Sequence, residues 1–78
     1  MDQDDAKLDE LQAAYKAAVD EWIVAIRHEE SLASVDHSVA KVDEWEAAYF
    51  AAEDARAKAR EAKEAYEAAL RADLFGID

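Results

Sequence analysis

The chain has 78 residues, enough for one small domain at most, and 53% of them are apolar, which excludes a typical disordered composition. Nine basic residues against twenty acidic ones leave a net charge of −11. That charge disfavours nucleic-acid phosphate and anionic membranes as partners and leaves a basic protein admissible. Cysteine is absent, so a disulfide framework, a thiol nucleophile and a Cys-based zinc site are excluded.

The apolar fraction overstates the core. Twenty of the apolar residues are alanine, which favours helix and close approach but buries little area. A chain this short, without disulfides, needs metal or oligomerisation for firm stability. Residues 1–5 are acidic and polar, unlike a secretory or transit peptide, and the longest apolar run, residues 22–26, is too short to span a bilayer. The expected location is cytoplasmic, with no membrane partner.

The first helix is predicted over about residues 4–33, with Asp4 or Asp5 supplying an N-cap oxygen and negative charge for the helix N-terminus. Leu8, Leu11, Tyr15, Ala18, Trp22 and Ala25 fall at heptad spacing. Val19, Ile23 and Ile26 widen this stripe to roughly 140°, more than one partner helix covers.

A turn is predicted over about residues 34–37. The stretch 31–38 collects Ser, Val, Asp and His, all mediocre helix formers, and Asp36 or Ser38 can cap a new helix. The heptad phase also slips by two residues across it, which matches neither of the insertions that a continuous coiled coil absorbs. An unbroken rod is therefore the weaker alternative.

The second helix is predicted over about residues 38–75. Its stripe is Trp45, Ala48, Ala52, Ala55, Ala59, Ala62, Tyr66 and Ala69, with Tyr49, Leu70 and Leu74 beside it. Small seam residues let two axes approach the short end of the usual spacing. Gly76 can take the left-handed C′ conformation, with Ile77 placed for the accompanying contact. With a turn centred near Val35, Arg56 falls level with Tyr15, and the band Arg56, Lys58, Arg60 and Lys63 comes beside Asp5, Asp9 and Glu10. The second helix is the longer, so its far end, with Leu70, Leu74, Phe75 and Ile77, is expected to overhang as an apolar contact site.

Chemistry is sparse. His28, Glu29, Glu30, Asp36 and His37 gather near the turn and raise the question of a divalent cation. The required spacings are missing: Ala25 and Ser34 stand three residues before the two histidines, where a di-iron bundle carries Glu. Ser31, Ser34 and Ser38 lie near the histidines, but nothing resembles an oxyanion hole. No cofactor, metal site or catalytic residue is assigned. Phe50 and Val24 point away from their stripes and are candidates for a second docking surface.

The expectation is thus an all-α, two-helix antiparallel hairpin, coiled-coil-like with an alanine-rich seam, two copies of which close into a four-helix bundle. The expected function is non-catalytic: a protein–protein interaction or scaffold module whose first partner is itself. Candidate contact residues are Val24, Phe50, Leu70, Leu74, Phe75 and Ile77. The alternatives are an acidic mimic of nucleic acid that binds a basic protein, and a small metal-binding bundle.

Overall fold

The computed structural model describes residues 3–33 and 38–76. They form two helices, α1 (Gln3–Leu32) and α2 (Val39–Phe75), packed along each other, with no strand among the described residues. The short connection between them forces an antiparallel hairpin, 56 Å long and 19 by 12 Å across. Its length is that of α2 itself, since 37 residues rise about 55 Å.

The caps explain where the helices stop. At the end of α1 the Ala33 amide bonds the Glu30 carbonyl at 3.1 Å, and the Ser31 hydroxyl donates to the His28 carbonyl at 2.7 Å, so the last turn consumes its own acceptors. Ser38 is the N-cap of α2: its backbone is extended, and its side-chain oxygen accepts from the Lys41 amide at 3.2 Å. Asp36, the other candidate cap, lies outside the described residues. Gly76 closes α2 in the left-handed conformation, with φ 66°, and its amide reaches the Ala72 carbonyl. Ile77 lies outside the described residues.

Removing the N-cap oxygen with Ser38→Ala should cost about 1 kcal/mol. Urea unfolding followed by circular dichroism would register this as a lower midpoint with an unchanged slope.

The seam follows the predicted rows. Leu8, Leu11, Tyr15, Ala18, Trp22 and Ala25 of α1 are half-buried, and so is Leu32. Opposite them Ala48, Ala52 and Ala59 are the only described residues that are fully buried, at 6%, 9% and 4% exposure. Ala55, Ala62, Tyr66 and Ala69 are half-buried beside them. Among the described residues no large side chain is fully enclosed, because one helix cannot surround another.

Three expectations are corrected. Asp4 and Asp5, expected to cap α1, lie inside its first turn, because the helix already starts at Gln3. Trp45, assigned to the seam, is 43% exposed. The register explains it: Leu32 and His28 border one hollow with Glu44, Ala47, Ala48 and Ala51, about two turns further along α2 than a turn centred on Val35 implies. The start of α2 therefore runs past the end of α1, which leaves Val39 at 78% exposure and deprives Trp45 of a full partner. For the same reason α1 reaches further along the far end of α2. Leu70 is half-buried rather than overhanging, while Leu74 is 72% exposed.

Candidate functional site

Two ion pairs of α2 lie within that helix rather than across the hairpin. Lys41 Nζ lies 3.2 Å from Glu44 Oε2, and Arg56 Nη1 lies 3.7 Å from Glu53 Oε2, both within α2. Each joins two half-exposed side chains and contributes well under about 1 kcal/mol. Arg56 does come level with the first-helix aromatics: with Arg60 and Lys63 it borders an open hollow of about 250 Å³ shared with Tyr15, Val19 and Trp22.

Around the turn, His28 and Glu30 are exposed and Glu29 is half-buried. Ser34, Asp36 and His37 lie outside the described residues. Among the described residues no group of three His, Asp or Glu side chains converges on a position that could hold a metal ion. Ser31 is engaged with its own helix and Ser38 with the start of α2. Also among the described residues, no helix is long and apolar enough to cross a membrane.

What the fold does gather is apolar surface. Nine large apolar side chains are exposed among the described residues, and eight of them lie between residues 23 and 50, in the half of the hairpin nearest the turn. Leu74 alone stands at the other end. Trp45, Tyr49, Phe50 and Val42 share an open hollow of about 420 Å³ with Glu29 and Glu46. The Tyr49 and Phe50 rings meet edge to face at 5.5 Å and 69°, a favourable quadrupole arrangement that fixes both rings at the surface. Across the seam Ile23 and Ile26 are each 41% exposed.

The residues singled out by sequence therefore divide. Phe50 belongs to this surface. Val24, at 67% exposure, projects from the other flank of α1, one turn before His28, and the two do not form one site. Leu70 is drawn into the seam, and Leu74 stands apart. Phe75 ends α2, and its side chain, like Ile77, lies outside the described residues. Val42 and Trp45 were missed. The available signal was the spacing of Val42, seven residues before Tyr49, which extends the flank of the seam rather than its centre.

No family model, no curated protein and no solved structure matches this chain.

Proposed function

We propose that the chain is a non-catalytic helical scaffold module that works as a self-associated pair, two hairpins closing into a four-helix bundle. Surface area carries the reading. The hairpin exposes 6103 Å², whereas a compact monomer of 8.7 kDa exposes about 4,700 Å². The excess, about 1,400 Å², exceeds the roughly 800 Å² that each partner buries in a stable complex. The interior supports the same reading, since three alanines are all that is fully enclosed among the described residues.

The acidic-mimic alternative is less well supported. A decoy needs carboxylates in regular array on one face, and here Arg56, Arg60 and Lys63 interrupt them around one hollow.

Sedimentation or light scattering should give twice the 8.7 kDa chain mass at micromolar concentration. A stable monomer there would remove the proposal.

A further inference from the structure

The two sides of the hairpin differ. One carries His28, Leu32, Glu44, Ala47 and Ala51, with Val24 one turn before His28, and no aromatic side chain borders its hollow. The other carries the hollow of Trp45 and Tyr49 near the turn and the hollow of Arg56, Arg60 and Lys63 further along. On this second side each helix presents a row in alternating steps of three and four residues, the spacing that keeps side chains on one helical face.

We propose that this side binds a second copy of the chain across a two-fold axis lying at right angles to the hairpin, at the level of Ile23 and Glu53. The α1 row reads Lys16, Val19, Ile23, Ile26 and Glu30. Turned about Ile23 it is its own complement: Lys16 meets Glu30 of the second copy, Val19 meets Ile26, and Ile23 meets Ile23. The α2 row reads Glu46, Tyr49, Glu53, Arg56 and Arg60. Turned about Glu53, Glu46 meets Arg60 of the second copy and Tyr49 meets Arg56, a guanidinium on an aromatic face. The two Glu53 carboxylates approach at the axis, each already beside an Arg56 guanidinium at 3.7 Å.

The two rows are independent stretches of sequence, yet their centres fall at one height. Trp22 borders the hollow of Arg56, and Glu29 borders that of Tyr49, so Ile23 lies near the level of Glu53. A single axis therefore serves both helices, with α1 antiparallel on α1 and α2 antiparallel on α2. The other two-fold, along the hairpin with turn ends together, would lay Lys16 on Arg60 and bury Glu53 against Ile23. The like charges of Lys16 and Arg60, and the burial of a charged Glu53 against an apolar side chain, both oppose it. The face is 56 by 19 Å, of the order of the area a stable pair needs.

This rests on the self-association proposed above, and the experiment separates the two. The chain lacks cysteine, so single thiols report proximity without background. Ile23→Cys should be joined to its own copy by a short thiol–thiol crosslinker, whereas Ala51→Cys, on the other side, should not. Glu46→Arg should weaken the pair by about tenfold or more, by setting Arg against Arg60 of the second copy twice per dimer. Combining it with Arg60→Glu should restore the pair. A natural chain that scatters as a monomer overturns self-association itself. A dimer that crosslinks at Ala51 and not at Ile23, or whose charge swap fails to restore association, overturns this arrangement alone.

Discussion

Replacing Ala59 by leucine should destabilise the hairpin more than any other single apolar exchange along α2. Ala59 is the most enclosed described residue, at 4% exposure, and it faces the first-helix aromatics around Tyr15 and Trp22. A methyl group in the seam leaves room for the facing side chains of α1. Three additional carbons do not fit between the helices, and the open hollow that Ala59 borders lies to the side of the seam, so either α1 moves outward along its length or the leucine leaves its preferred rotamer to reach that hollow. Overpacking of this kind costs about 1–3 kcal/mol, a large share of the total for so short a chain. Ala57→Leu provides the control. Ala57 is exposed on the outer side of the same turn, and leucine is nearly as good a helix former as alanine, so the change should be close to neutral. Urea unfolding of both variants gives the comparison. An Ala59→Leu protein as stable as the natural one would mean that the seam is not closely approached.

That seam was legible in the sequence because heptad spacing and alanine content point to the same geometry. Both helices, the Ser38 cap and the Gly76 stop follow from local chemistry, and each is found within a residue or two of its expected place. The register was not legible. Midpoint reckoning assumes that both helices start level with the turn, but register is set by how the side-chain rows interlock over the whole seam. A slip of two turns, one heptad, preserves every inward position while changing which residues are left beyond the partner's end. That single displacement exposes Trp45, covers Leu70 and moves the apolar surface from the far end of α2 to the turn half. The candidate site was read only in part for the same reason. Phe50 was found from its position off the stripe, whereas Val42 and Trp45 become surface only once the start of α2 is known to run past Leu32.

The midpoint of thermal unfolding should rise with protein concentration, by about 4 °C for each tenfold increase, if folding and pairing are one transition. The reasoning begins from the interior. Among the described residues only Ala48, Ala52 and Ala59 are fully buried, and a buried methyl contributes only about 0.8 kcal/mol. Trp22 is half-buried, while Trp45, Ile23 and Ile26 keep more than two fifths of their surface exposed in the single hairpin. In the proposed pair this remaining apolar area leaves water only at the bimolecular step. Two chains released on unfolding make the equilibrium depend on concentration. A tenfold dilution then withdraws about 1.4 kcal/mol from each pair, and the enthalpy of about 150 residues converts this to a few degrees. Dilution towards nanomolar should accordingly lose helical circular dichroism at room temperature, with no folded monomer accumulating. A midpoint that stays fixed over two decades of concentration would show that the hairpin is self-sufficient, and that its alanine seam is stronger than its buried area indicates.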